Sequence, residues 1–236
     1  MSKTLFCVNV LDNVNSQVYG SHCQEWFRLG RDTEDDFLLF HPNRLSIDTA
    51  RNQAAQLALN AECDYLYFVD DDMILSPKTY NSLKRCDADI AQALTFIRGY
   101  PFHCMAFKKV DDNTLDFFDD YVEHVNVDGI FKAEAVGFAC ALIKVELLNK
   151  IRPPYFVTGT QSTEDVYFCL KLRQKRGDRL KIVVDTKVPT AHLLHPETIS
   201  KHNLQRMKEF HEPIFKPVFD RGQEYLAECK TQMNVA

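Results

Sequence analysis

The stretch Tyr65-Leu66-Tyr67-Phe68-Val69-Asp70-Asp71-Asp72 decides how this chain is read. Its apolar and aromatic residues run without alternation, as in a central strand covered on both faces. Three consecutive carboxylates follow at the carboxyl end, where open α/β sheets bind their ligands. Charges so close repel one another, and a cation is the natural relief. An all-oxygen set suits a hard ion, Mg²⁺ or Mn²⁺. Mg²⁺ sites commonly join one or two carboxylates to substrate phosphates. The cluster therefore points to a diphosphate-bearing substrate, with the metal as Lewis acid on the departing phosphate. The competing reading is a solvated acidic loop. A calcium-binding EF-hand is excluded, because its sixth loop position would be Leu75 instead of glycine.

Outward from this strand, strand-like and helix-like segments alternate, which argues for a layered α/β fold. Before it, residues 4–11 read as a buried strand and residues 16–29 as a helix closed by Gly30. Asp36–Phe40 reads as a short strand. Ser46 caps a helix in which Ala50, Ala54, Leu57 and Ala58 recur at helical spacing up to about Asn60. After it, Ser76-Pro77 opens a helix, and residues 89–96 form a strand. Residues 102–144 are mostly strand-like, with an acidic surface excursion over 111–120. A short helix over 145–151 stops before Pro153-Pro154. Glu164–Arg176 is a helix behind Thr163 and before Gly177, and 181–184 is a last clear strand. From Glu197 onward the tail reads as helix interrupted at Pro213 and Pro217.

The chain has 236 residues, 45% of them hydrophobic, enough for one larger α/β core with a helical tail. A net charge of −5 with mixed signs announces no nucleic-acid or membrane-surface partner. The opening apolar run, residues 4–10, is too short for a signal peptide or a span, and no other stretch is long enough. Eight cysteines include no CxxC pair, and several sit in apolar runs. They read as free buried thiols in a reducing cytoplasm, a host's cytoplasm for a viral chain.

Four motifs in order now carry a resemblance: Ala50-Arg51-Asn52, Asp70-Asp71-Asp72, Thr163-Glu164-Asp165, and Val184-Asp185-Thr186 followed by His192. Together they resemble the GT-A fold glycosyltransferases, and within these the compact family-2-like enzymes of bacteria and phages. The resemblance runs from about Thr4 to about His195. It implies an α/β GT-A fold with a mixed central sheet flanked by helices. It also implies a nucleotide-sugar transferase domain over 1–196, with 197–236 as a helical tail on the same domain.

The resemblance further implies roles. Asp72 becomes the direct metal ligand, with His192 completing the shell and His195 a rival for that place. An imidazole ligand favours Mn²⁺ over Mg²⁺. Asp70, Asp71, Arg51, Asn52 and, at the end of strand one, Asp12 become donor contacts. Arg98 would steady a phosphate. Gly137, grouped with the donor site, resembles the family's glycine loop under the acceptor sugar. Asp165 becomes the general base, giving inversion at the anomeric carbon, with Glu164 orienting the acceptor. The implied donor is a UDP- or GDP-sugar. The acceptor is a glycan or, as an alternative, a modified DNA base, which the basic run Lys171, Arg173, Lys175, Arg176, Arg179 and Lys181 would serve. A non-catalytic nucleotide-sugar-binding module is the rival class. Nucleotidyltransferase chemistry is disfavoured, because the loop after strand one, residues 12–16, contains no glycine. No phosphate-binding GxxxxGK loop and no GxSxG elbow occurs.

Overall fold

The computed structural model describes residues 1–10, 13–109, 115–118, 129–159, 162–194, 197–200 and 202–233. The first half alternates as expected: β1 (Lys3–Asn9), α1 (Ser16–Asp32), β2 (Asp36–Phe40), α2 (Ile47–Asn60), β3 (Tyr65–Asp70), β4 (Met73–Ile74), α3 (Thr79–Arg85) and β5 (Ile90–Ala93). Strands dominate the middle: β6 (Ala106–Lys109), β7 (Leu115–Phe117), β8 (Ile130–Lys132), β9 (Ala135–Val136) and β10 (Cys140–Lys144). A 3₁₀ turn over Val145–Lys150 follows, then α4 (Glu164–Arg176), β11 (Ile182–Asp185), β12 (Ala191–Leu194), β13 (Glu197–Ile199) and α5 (Leu204–Met233).

Seven strands form the central sheet in the order β2-β1-β3-β10-β5-β11-β8. β1 is parallel to β2 and β3, and β11 is parallel to β5. β10 runs antiparallel between β3 and β5, and β8 is antiparallel at the edge. This mixed sheet flanked by helices is the fold class expected. Both faces of β3 are covered: Leu66 and Phe68 enter one apolar cluster with α2 and α4, while Tyr67 and Val69 enter the other, with Leu29 and Leu83. The unalternating run in the sequence is therefore a strand buried twice over.

Four local expectations need correcting. α1 continues through Gly30 to Asp32, because Thr33 caps it with its backbone N–H and its hydroxyl on the Leu29 carbonyl, and Arg28 and Arg31 pair with Asp32. Ser76-Pro77 forms a turn ahead of α3, whose Thr79 donates to the Ser76 carbonyl from both N–H and hydroxyl. The tail begins as β13, which pairs with β12. Beyond it, α5 runs on through Pro213 and Pro217. A proline removes one donor and bends a helix, and here Glu209, Glu212 and Pro213 are exposed, so water can serve the freed carbonyl. Ile199, Leu204 and Met207 are buried in the main cluster and dock the start of this tail.

Seven described cysteines are free and six of them are buried. Burial pushes the thiols of Cys7, Cys104, Cys140 and Cys169 up to about 12. Among the described residues no helix is long and apolar enough to cross a membrane.

Candidate active site

The carboxyl ends of β1 and β3 lie side by side, with Asn9 in register with Asp70. Just past β1, Val10 donates its N–H to the Pro42 carbonyl at 3.1 Å, which ties the loop after β2 to the same end. The start of α2 closes the space. A cleft of about 370 Å³ results, lined among others by Asn9, Ser46, Asp70, Asp71, Asp72 and Arg98. That volume is in the range of small-molecule sites.

At its mouth the Asp72 carboxylate has two partners. Oδ1 lies 3.0 Å from His192 Nε2, and Oδ2 accepts from Arg98 Nη1 at 2.7 Å. Burial alone would push the Asp72 carboxyl up, but the hydrogen bond and charge of His192, with Arg98, hold it below the usual carboxylate range. The pairing follows from the backbone. β12 is antiparallel to β4 with His192 opposite Met73, and Leu193 N–H donates to the Asp72 carbonyl at 2.8 Å. His192 Nδ1 lies 2.7 Å from the Phe96 carbonyl and must donate there, since a carbonyl only accepts. That bond fixes the ring and turns Nε2 towards Asp72. Burial works to lower the His192 pKa, but Asp72 and the Phe96 carbonyl outweigh it, so the pKa stands above the ordinary histidine value.

Behind the cleft, Arg51 is buried at 2% exposure and meets three carboxylates. Nη1 donates to Glu164 Oε1 and lies 3.8 Å from Asp165 Oδ2, while Nη2 donates to Asp70 Oδ1 at 3.3 Å. Its guanidinium carbon sits 5.4 Å from the Phe68 ring centroid and 5.6 Å from that of Phe138. Burial raises the Asp70 and Glu164 pKa values, against the lowering pull of Arg51. Arg51 is inside because the buried face of α2 is Ala50, Arg51, Ala54, Ala55 and Ala58. Leu57, read from the sequence as part of that face, is exposed.

Asp165 is also buried. Oδ1 accepts from Val166 N–H at 2.7 Å and from the Thr163 hydroxyl, and Oδ2 accepts from Phe138 N–H at 3.2 Å. Gly137 leaves room for Met105 beside this bond: a Cβ there would stand 3.0 Å from Met105 Cε, while Asp165 Oδ2 at 3.5 Å would be in ordinary contact. Asn52 lies one residue past Arg51, and its amide braces backbone. Nδ2 donates to the carbonyls of Asp48 and Phe156, and Oδ1 accepts from the N–H groups of Tyr155 and Phe156. That uses both donors and both acceptor positions of the amide.

A197 from STIV shares this architecture. A197 is 16% identical, with 84% of this chain and 93% of that chain covered and a TM-score of 0.55. At that identity the likeness to A197 is one of fold. Weaker matches include GalNAc-T7 with UDP, GalNAc and Mn²⁺ (13% identity, 81% of this chain and 43% of that chain, TM-score 0.47). Another is the catalytic domain of Drosophila β1,4-galactosyltransferase 7 with xylobiose (14% identity, 78% and 65%, TM-score 0.45). Below a TM-score of 0.5 these two carry no weight. No family model and no curated protein matches the chain.

The structure thus gathers Asp70, Asp71, Asp72 and Arg98 around one cleft, sets His192 against Asp72, and places Arg51 against Asp70, Glu164 and Asp165, with Gly137 beside Asp165. Asp12 and the rival ligand His195 lie outside the described residues. Among the described residues no three metal-ligating side chains form a ready-made cluster. Asp72 and His192 are the pair close enough to share one small cation, which leaves the other positions to water or substrate oxygens. Sequence reasoning missed Asn9, whose Nδ2 is 3.5 Å from Asp70 Oδ1, and the Phe96 carbonyl behind His192. The polar Asn9 at the end of an apolar strand was the available signal for the first. A backbone carbonyl leaves none for the second.

The basic run on and after α4 is largely occupied. Lys171 donates to the carbonyls of Arg152 and Pro154, and Arg173 to those of Gly177 and Leu180. Arg176 pairs with Asp89, and Lys181 donates to the carbonyls of Cys86 and Asp87.

Proposed function

We propose that this chain is a metal-dependent glycosyltransferase that moves a sugar from a nucleoside-diphosphate sugar, UDP- or GDP-linked, to an acceptor hydroxyl. The observation that carries the reading is the meeting of Asp72, His192 and Arg98 at the mouth of a cleft of ligand size. Asp72 and His192 hold the divalent ion, Mn²⁺ in preference to Mg²⁺, since one donor is an imidazole nitrogen. When bound, the ion supplies Lewis acidity to the departing diphosphate. Asn9, Asp70 and Asp71 line the nucleoside side, and Arg98 faces the phosphates, where a planar guanidinium can engage two oxygens.

Asp165 accepts the acceptor hydroxyl's proton, and a single carboxylate opposite the leaving group makes the reaction inverting. Glu164 orients the acceptor. Gly137 keeps the backbone above Asp165 thin enough for a sugar to approach. Arg51 and Asn52, proposed from the sequence as donor contacts, are better assigned as positioning residues. Arg51 holds the acidic pair at a fixed place relative to Asp70, and Asn52 pins the Tyr155–Phe156 backbone. The internal bonds of Lys171, Arg173, Arg176 and Lys181 favour a saccharide acceptor over DNA.

A thermal-shift screen of UDP- and GDP-sugars with and without Mn²⁺ tests the reading. A donor present at 100 times its Kd stabilises the native state by about 2.7 kcal/mol. The shift is expected to require Mn²⁺ and to vanish in Asp72→Ala. Absence of any Mn²⁺-dependent shift across the donor set overturns the proposal.

A further inference from the structure

The Arg98 side chain lines the same cleft as the strand-end carboxylates, yet in this conformation its Nη1 closes on Asp72 Oδ2 at 2.7 Å. It is 58% exposed, against 17% for Asp72. Its backbone belongs to a narrow excursion: Ile97 N–H donates to the His103 carbonyl at 3.0 Å, and Phe102 N–H to the Gly99 carbonyl at 2.7 Å. The base of that excursion is fixed while the long Arg98 side chain projects from it, so the side chain can swing without repacking the core. Phe96, two residues earlier, supplies the carbonyl that orients His192. The one segment therefore governs both partners of Asp72.

The two uses of Asp72 compete. With Oδ2 held by the guanidinium, the carboxylate offers an ion only Oδ1 and less of its charge, and the two cations repel across it. A diphosphate in the cleft would give the guanidinium another anionic partner. We infer that Arg98 stands in for the divalent cation on Asp72 in the metal-free protein, and that it transfers to the diphosphate when ion and nucleotide enter together. This deepens, and rests on, the donor-site reading above. Arg98 then acts twice: it competes with the ion for Asp72, and it couples ion binding to nucleotide binding. Such a coupling is reciprocal, the ion strengthening the nucleotide by the same factor as the nucleotide strengthens the ion.

The test is calorimetric titration of the full chain with Mn²⁺ alone, with UDP or GDP alone, and with each in the presence of the other, for the wild type and Arg98→Ala. Removing the competitor is expected to tighten Mn²⁺ alone by about tenfold. Removing the phosphate partner is expected to cut the mutual strengthening of ion and nucleotide by a similar factor. Unchanged or weaker Mn²⁺ binding in Arg98→Ala overturns the exchange, and so does an unchanged coupling. If the wild type binds neither nucleotide in the presence of Mn²⁺, the donor-site reading fails and takes the exchange with it. If the wild type binds both and the variant matches it, only the exchange fails.

Discussion

Arg51 and Arg98 address the same acidic strand end from opposite sides, and their settings could hardly differ more. Arg51 is 2% exposed, meets Asp70, Glu164 and Asp165 at once, and lies against Phe68 and Phe138. Arg98 is 58% exposed and, among the described residues, pairs with Asp72. Charges taken out of water are tolerated only when every partner is in place, and removing one then leaves the others stranded. An exposed pair contributes little and can be exchanged. The same residue type thus does two jobs, fixing geometry where water is absent and remaining replaceable where water enters.

The largest expected effect attacks the buried side. Arg51→Met is expected to lower stability by about 3–5 kcal/mol, since three carboxylates lose their cation. At roughly 2–4 °C per kcal/mol for a chain of this size, calorimetry should show Tm falling by roughly 6–20 °C. Adding Glu164→Gln should recover part of the loss, and a double-mutant cycle measures that coupling. Two additive losses would mean that the buried network is not a unit.

Glu25 shows what a buried carboxylate does without such a cation. One oxygen accepts from Tyr80 N–H at 2.7 Å and the other has no hydrogen-bond partner among the described residues. Burial, opposed by the Tyr80 bond, pushes its pKa from 4.5 to about 7. The folded protein therefore holds this proton more tightly than the unfolded chain. The stability this brings is fully present below about pH 4.5 and is lost as pH rises through about 7. Glu25→Gln, which cannot ionise, should be more stable than wild type at pH 8, by up to about 3 kcal/mol. The advantage should fade as pH falls towards 5. A difference in Tm that is flat across this range would show that folding does not raise the Glu25 pKa.

A smaller loss separates bracing from binding. Asn52→Ala should cost about 1–3 kcal/mol, because backbone groups at Tyr155 and Phe156 lose their partner. UDP or GDP affinity should stay as it was. A drop in affinity with unchanged stability would return Asn52 to the donor site. The smallest effect belongs to Arg98→Ala without metal, whose stability should lie within about 1 kcal/mol of the wild type by urea unfolding. A loss as large as that of Arg51→Met would erase the contrast.

The sequence made legible what depends on short range. The covered strand before Asp70 and the helix behind Thr163 show in local apolar runs and caps, whereas the strand carrying His192, beyond the last clear strand at 181–184, does not. The burial of Arg51 is not legible in its helix. Helical spacing draws the face of α2 through Leu57, whereas the residues at 51, 54, 55 and 58 mark a face that takes Arg51 inside. Nothing local says that an arginine belongs in a core. That follows from Glu164, which arrives 113 residues later. The partners of Arg98 and of the basic run are hidden for the same reason, since each depends on distant segments. Pro213 and Pro217 misled in the other direction, because a helix with an exposed side can absorb a missing bond.

The chain leaves the sheet at Ala93 and re-enters at Cys140 in the strand next door. Apart from the edge strand β8, everything between is an excursion whose two ends are anchored side by side in the ladder. Doubling the length of such a loop adds only about 0.6 kcal/mol of closure entropy. Insertions outside the segments that carry Phe96, Arg98, Gly137 and Phe138 can therefore lengthen that stretch while the register around Asp70 is kept, which makes it the natural place for one scaffold to acquire new specificities.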